Sequence, residues 1–185
     1  PPSHAPVQPQ LLKQFAYRGA KFLKKLGLWA FDTVNANAWH PASQYLSETG
    51  ADFITVQEAK LRTRPECETT ESAARTSGWR ASINTCVVTP ALGASAGVAL
   101  ACRNCVGMST PVAMDHAPDY ASTGLAARFS LKKIGAVVKG GLNFGTVYLH
   151  DFIGPSAKAN ADLLHAVAAI LSLTTEPWIL GGDWN

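Results

Sequence analysis

Residues 51–57 read Ala-Asp-Phe-Ile-Thr-Val-Gln and run straight into Glu58. A short run this rich in aromatic and branched residues is the pattern of a buried strand. A similar run stands at 28–34 (LWAFDTV), with Asn35 and Asn37 following where pairing should end. Between the two runs, His40-Pro41 punctuates and residues 42–48 suit a short helix closed by Gly50. Strand, helix and strand in so short a span make the two strands parallel, since a crossover helix returns the chain to the same end of the sheet. A parallel pair covered on both faces restricts the chain to α/β architectures.

The chain then changes texture. Residues 67–77 are polar and helix-compatible, and Gly78 ends them. From Trp79 onward, residues 79–88, 97–102, 106–111, 125–131, 135–138 and 142–149 are short β-like runs separated by Gly, Pro and Asn. Such a meander predicts antiparallel sheet. Ser156 is placed to cap a helix over 157–173, whose apolar face carries Leu163, Leu164, Val167, Ile170 and Leu171. That helix leads into Trp178-Ile179-Leu180, a short strand ending at Gly181-Gly182-Asp183. The expected fold is α/β, with sheets packed on each other and helices outside. Asp183 and Asn185, two apart, share a side of an extended chain. A carboxylate and an amide at the mouth of a buried strand suit a phosphate or metal site, and Gly-Gly-Asp equally suits a plain turn.

Composition sets wider bounds. With 185 residues, 47% of them hydrophobic and 16% charged, the chain can bury the core of one globular domain. A net charge of +3 is too small to name a polyanion as partner. The basic residues are uneven, however: Lys13, Arg18, Lys21, Lys24 and Lys25 all precede the first acidic residue, Asp32. Prolines at 1, 2, 6 and 9 mark a linker, and residues 11–26 place Leu12, Phe15, Phe22, Leu23 and Leu26 at the spacing expected of a basic amphipathic helix. Such helices bind membranes, nucleic acid or partner proteins, resemble transit peptides, or pack on their own domain. The division expected is a leader over 1–27 and a domain over 28–185. Cys102 and Cys105 form one C-x-x-C pair without the second pair that a structural zinc site needs. Four cysteines are too few for a disulfide scaffold and predict a reducing, intracellular compartment, the nucleus among them. No apolar run approaches the roughly 18 residues of a membrane span.

Polar groups gather at three strand ends: Asn35 and Asn37, Gln57 and Glu58, Asp183 and Asn185. Strand ends are where open α/β sheets build sites. A carboxylate directly after an apolar run, as at Glu58, is costly unless paired or metal-bound, and Lys60 is close enough in sequence to pair with it. Taken in order, N-x-N, Q-E-x-K and GGD-x-N resemble the endonuclease/exonuclease/phosphatase superfamily. That group includes pancreatic deoxyribonuclease, exonuclease III, abasic-site endonucleases, LINE-type retrotransposon endonucleases and sphingomyelinases. The resemblance covers 28–185, the first two-thirds of such a domain. It implies a four-layer, DNase I-like fold, a two-sheet β-sandwich covered by helices, with its C-terminal portion missing.

By that resemblance Glu58 binds the metal, Mg²⁺ or Mn²⁺, with Asn35 helping to fix it. A hard cation of this kind takes few carboxylates and keeps waters and open sites for a phosphate oxygen. Asp183 matches the aspartate that orients or deprotonates the attacking water, and Asn185 the asparagine that holds a phosphate oxygen. Lys60 and Gln57 match residues standing behind the ligands. Asn37, where nucleases commonly have Asp or Gly, and Asp151, where the abasic branch has asparagine, fall at substrate-facing positions. Tyr148 matches the abasic-endonuclease pattern and His150 the deoxyribonuclease pattern; the sequence weights them equally. The serine-aspartate-histidine motif that ends the family pattern is not among these residues. His4, His40, His116 and His165 lie in other contexts, His165 within the helix. These residues alone are therefore expected to lack activity and to leave the last strand with an unpaired edge. The implied function is divalent-metal-dependent phosphodiester hydrolysis, foremost of DNA, by a monomeric endonuclease domain of retrotransposon type. A lipid or small phosphate ester as substrate, and a catalytically inactive binding module, remain as alternatives. Arg62, Arg64, Arg103, Lys132 and Lys133 are the candidates for a basic face towards nucleic acid.

Overall fold

The computed structural model describes residues 26–115, 124–135, 137–151, 153–154 and 156–184. The leader helix expected over 11–26 lies, but for Leu26, outside the described residues, and so does Asn185. In chain order the elements are β1 (Phe31–Asn35), α1 (Trp39–Glu48), β2 (Phe53–Gln57), α2 (Arg64–Thr76), β3 (Trp79–Ile83), β4 (Val87–Val88), β5 (Ala94–Ser95) and β6 (Ala99–Arg103). Then come α3 (Val112–Asp115), a 3₁₀ turn (Leu125–Ala127), β7 (Phe129–Ile134), β8 (Leu142–Tyr148), α4 (Lys158–Ser172) and β9 (Trp178–Asp183).

Two sheets dominate, ordered β1-β2-β6-β3 and β7-β8-β9, with β4 and β5 as a separate two-stranded ribbon. As the crossover argument predicts, β1 and β2 are parallel, and their register sets Asn35 beside Gln57. The second parallel pair, β8 with β9, sets Tyr148 beside Asp183. The remaining pairings, β2 with β6, β3 with β6 and β7 with β8, are antiparallel, as the meander implies. All five residues of β2 are buried, the polar Thr55 and Gln57 included, so the strand is covered on both faces.

The sheets pack face to face and the helices cover the outer faces, giving the four-layer α/β sandwich. Phe53, Leu100, Cys102, Ile134 and Phe144 fill the space between sheets. Ala42 and Leu46 of α1 and Cys67 and Ala74 of α2 pack on the first sheet, where Trp79 Nε1 donates to the Leu46 carbonyl. Leu163, Val167, Ile170 and Leu171 of α4 cover Phe129, Leu131 and Val147 of the second. No helix among the described residues is long and apolar enough to cross a membrane.

Local chemistry explains where elements begin and where the sequence reading departs from them. Helix α1 starts before Pro41 because proline is tolerated in a first turn, where its missing N–H needs no partner. Its end is capped by Thr49 in an extended conformation, not by a left-handed Gly50. Thr63 and Glu66 form a reciprocal capping box at the start of α2, with Pro65 in its first turn. Ser156 does not cap α4: the N-cap is Ala157, without a side-chain bond. Residues 106–111 contribute one bridge, Ser109 to Lys133, in place of a strand, since Gly107 turns left-handed at φ 73°. Among residues 135–138 no strand is described, and residues 125–127 form the 3₁₀ turn.

The sheets approach most closely beneath the strand ends. Gly181 of β9 faces Thr33 and Thr55, and a methyl group there would press into the Thr55 hydroxyl and stand 3.1 Å from Thr33 Cβ. Beside it, Gln57, 1% exposed, donates from Nε2 to Thr146 Oγ1 on the opposite sheet at 2.7 Å. Gly181→Ala is therefore expected to lower unfolding free energy by about 1–3 kcal/mol through overpacking, read as a reduced urea midpoint with an unchanged slope.

Candidate active site

The ends of the two parallel strand pairs bring the site together. Asn35 closes β1 and Glu58 follows β2 on one sheet; Tyr148 and Asp183 close β8 and β9 on the other. Asn35 Nδ2 donates to Glu58 Oε1 at 2.9 Å and to Asp183 Oδ2 at 2.5 Å, so one amide joins carboxylates from facing sheets. Lys60 Nζ pairs with Glu58 Oε2 at 2.7 Å and also donates to Asn37 Oδ1. The backbone N–H of Asn37 reaches Asn35 Oδ1 at 3.3 Å.

Three residues here, Asn37, Glu58 and Lys60, take left-handed backbone conformations at φ 56°, 57° and 53°. Non-glycine residues adopt that region at a cost, and the surrounding bonds must hold them there. Ala59 N–H donates to Gly97 O at 2.7 Å, Lys60 N–H to Ala96 O at 3.3 Å, and Ala36 N–H to Gln57 O at 3.1 Å. Gly97 has φ 86°, and a Cβ there would stand 2.9 Å from the Lys60 backbone nitrogen. The turn presenting Glu58 thus rests on a glycine that the sequence does not mark out.

Burial pushes the Glu58 carboxyl up, but hydrogen bonds from Lys60 and Asn35, with the Lys60 charge, outweigh it and hold the group below the ordinary carboxylate value. Tyr148, 1% exposed, donates to Asp151, whose Oδ1 and Oδ2 lie at 2.7 and 2.6 Å, and also interacts with Glu58. Burial, then the Asp151 hydrogen bond and the two carboxylate charges, raise its pKa strongly. Tyr148 is therefore a protonated donor at any physiological pH.

His150 is placed differently. Its backbone is clamped by the fully buried Asn160, which accepts from His150 N–H at 2.6 Å and donates to His150 O at 3.1 Å and Gly154 O at 2.9 Å. His150 lines a cavity of about 690 Å³ with Arg128, Leu125 and Leu163, while Tyr148 joins Glu58 and Asp151. Burial, then the nearby Arg128 cation, lower the His150 pKa, against a smaller opposing pull from Asp151.

Asn160 escaped the sequence reading although a signal was present: a polar residue aligned at i, i+3 and i+7 with Leu163 and Val167. The buried hydroxyls of Thr55 and Thr146 beneath Gln57 carried no such signal. Of the proposed basic face, Arg64 pairs with Glu68 and Glu71, Lys133 pairs with Glu176, and Arg103 stacks on Trp79 while donating to Ala51 O and Thr49 O. These three serve the fold.

The donor set fits a hard cation. Two carboxylates, Glu58 and Asp183, converge on the Asn35 side-chain amide; no group of three or more His, Cys, Asp or Glu side chains in ligating range occurs among the described residues. An ion held by so few protein ligands keeps most of its waters, which suits Mg²⁺ better than a metal requiring a full protein cage.

A two-sheet sandwich with carboxylates and amides at the ends of its parallel strand pairs defines a class, the phosphoester hydrolases of this fold. The sequence model of the endonuclease/exonuclease/phosphatase family matches residues 34–185, and the chain belongs to that family. Its enzymes are hydrolases acting on phosphate esters and generally use divalent metals such as Mg²⁺. The fold is similar to that of ANGEL2, a 2',3'-cyclic phosphatase solved with adenosine-2',3'-vanadate, at a TM-score of 0.51 and 10% identity. The match covers 85% of this chain and 53% of the ANGEL2 chain, so the chain spans about half of that protein's length. Comparison with curated proteins gives no match.

Two predictions follow from the charges. Because the folded state depresses the Glu58 pKa, its contribution to stability is present above the unfolded value and is lost as pH falls through the folded one. Lys60→Met should therefore lower the urea midpoint at pH 7, and the gap from the parent should close below about pH 4. His150 should titrate by NMR below its ordinary value near 6.5, and Asp151→Asn should move it lower still.

Proposed function

We propose that this chain carries the metal-binding and water-activating part of a divalent-metal-dependent phosphodiester hydrolase acting on DNA. The observation that carries the reading is the Asn35 amide joining Glu58 and Asp183 across the two sheets. Glu58, with Asn35 beside it helping to fix the site, would hold Mg²⁺ or Mn²⁺. Bound there, the ion supplies Lewis-acid polarisation of a phosphoryl oxygen. Asp183, fixed by Asn35, orients the attacking water and takes its proton. Tyr148, kept protonated by burial and Asp151, donates to a phosphate oxygen or the leaving group. Asn185, outside the described residues, is assigned the neutral donor to the charge developing on phosphorus-bound oxygen. Lys60 keeps Glu58 ionised and turned towards the site.

A second reading, hydrolysis of a small phosphate ester, is favoured by one observation: Arg64, Arg103 and Lys133 are engaged within the fold and do not form a cationic surface for a duplex. The fold shared with a 2',3'-cyclic phosphatase is compatible with it. The deciding experiment compares Mg²⁺-dependent plasmid nicking with hydrolysis of a 2',3'-cyclic nucleotide by the full protein. Glu58→Ala and Asp183→Ala should each lower the preferred activity roughly 100-fold or more. If both variants match the parent on both substrates, the assigned roles are wrong.

A further inference from the structure

A second polar cleft lies far from the carboxylates. It opens along β3 and β7, the edge strands opposite β1 and β9 in their sheets. Register places it towards the other end of the strands as well: Arg80 lies opposite Cys102, near the end of β6 remote from Ala99, which pairs with Val56 beside the site. The cleft encloses about 330 Å³ and is lined by Arg75, Arg80 and Lys132 together with Ser82, Ser109 and Thr110.

Three cations share this space, and no carboxylate lines it. None of the ion pairs among the described residues involves Arg75, Arg80 or Lys132. Lys132 Nζ donates to Thr110 Oγ1 at 3.0 Å, a neutral partner. Glu71, whose charge reaches Lys132, is already committed: its Oε2 accepts from Arg64 at 2.9 Å and its Oε1 from the Ile83 backbone at 2.8 Å. Burial, with a smaller push from the Arg64 cation, lowers the Lys132 pKa against the opposing pull of the Glu71 charge. Like charges gathered in a partly enclosed, polar-walled cleft repel one another unless an anion joins them. Two guanidinium forks with hydroxyl donors nearby match the tetrahedral oxygens of a phosphate.

We propose that the Arg75–Arg80–Lys132 cleft is a phosphate-binding site separate from the carboxylate cluster, holding either a phosphodiester of a nucleic-acid strand or a free phosphate group. It does not depend on the hydrolase reading, because binding here needs neither Glu58 nor a metal.

The test works on the whole protein in EDTA, so that no cleavage intervenes. Anisotropy of a fluorescein-labelled oligothymidylate is measured against salt for the parent, for Arg75→Gln/Arg80→Gln, and for Lys139→Gln/Lys158→Gln, which removes two exposed charges elsewhere. Inorganic phosphate is titrated in parallel by thermal shift. The arginine variant should bind the strand more weakly, with a slope of log K against log salt shallower by about 1.4, from about 0.7 per phosphate contact on a single strand; the lysine variant should keep the parent slope. Arg80→Lys, which keeps the charge, should retain most binding and controls for misfolding. If phosphate raises the melting temperature of the parent but not of the arginine variant while strand affinity is equal in both, the ligand is a free phosphate. Equal behaviour of parent and arginine variant in both titrations, or equal losses in the two double variants, overturns the proposal.

Discussion

The contact on which the rest of the molecule depends is the close approach of the two sheets beneath the strand ends. Gly181 lets β9 lie directly against Thr33 and Thr55, and the Gln57–Thr146 hydrogen bond ties the sheets at the same level. Hydroxyl and amide groups in a sandwich interior are stabilising only when satisfied, and a fully bonded buried set fixes one arrangement where apolar packing alone would tolerate several. That spacing allows Asn35 on one sheet to touch Asp183 on the other. A wider gap would leave two half-sites facing each other with nothing between them.

Above this layer the electrostatics are balanced locally. Glu58 is surrounded by an ammonium, an amide and a phenol, each stabilising its ionised form against the burial that opposes it. Tyr148 is held protonated by its burial and then by the carboxylates around it. The family's phosphoester chemistry requires such a division, with an ionised carboxylate for a cation and a neutral donor for a phosphate oxygen. At Glu58 the neighbouring donors outweigh burial, whereas at Tyr148 burial and the neighbouring carboxylates act in the same direction. The left-handed turn at Glu58 and Lys60 shows the same economy: its strain is offset by backbone bonds to Ala96 and Gly97, which lie immediately before β6.

Much of this was legible in the chain. The run 51–57 signalled a buried strand, and its spacing from 28–34 signalled the parallel pair. The order of N-x-N, Q-E-x-K and GGD-x-N pointed to the family. The failures have physical causes. Ser156 carries the right residue type for a cap, yet Ala157 takes the position, because a cap is decided by where the backbone turns and not by which side chain is available. Residues 106–111 have strand composition, but left-handed Gly107 stops the extended run. Arg64, Arg103 and Lys133 looked like a basic face because sequence counts charges without their partners.

The sequence by itself determined most of the element types, the parallel pairing of β1 with β2 and the residues brought to the strand ends, since these follow from periodicity, crossover geometry and local turn chemistry; the second parallel pair, β8 with β9, came only from the tertiary structure. Tertiary structure alone decided that Tyr148 and not His150 sits with Glu58, that Asn35 bridges the sheets, and that Lys132 shares one cleft with Arg75 and Arg80, from which it is distant in sequence. The reason is the same in each case. Which side of a strand end faces inward, and which charges end as neighbours, depend on how two sheets stack, and stacking is fixed by contacts between residues that no local pattern relates.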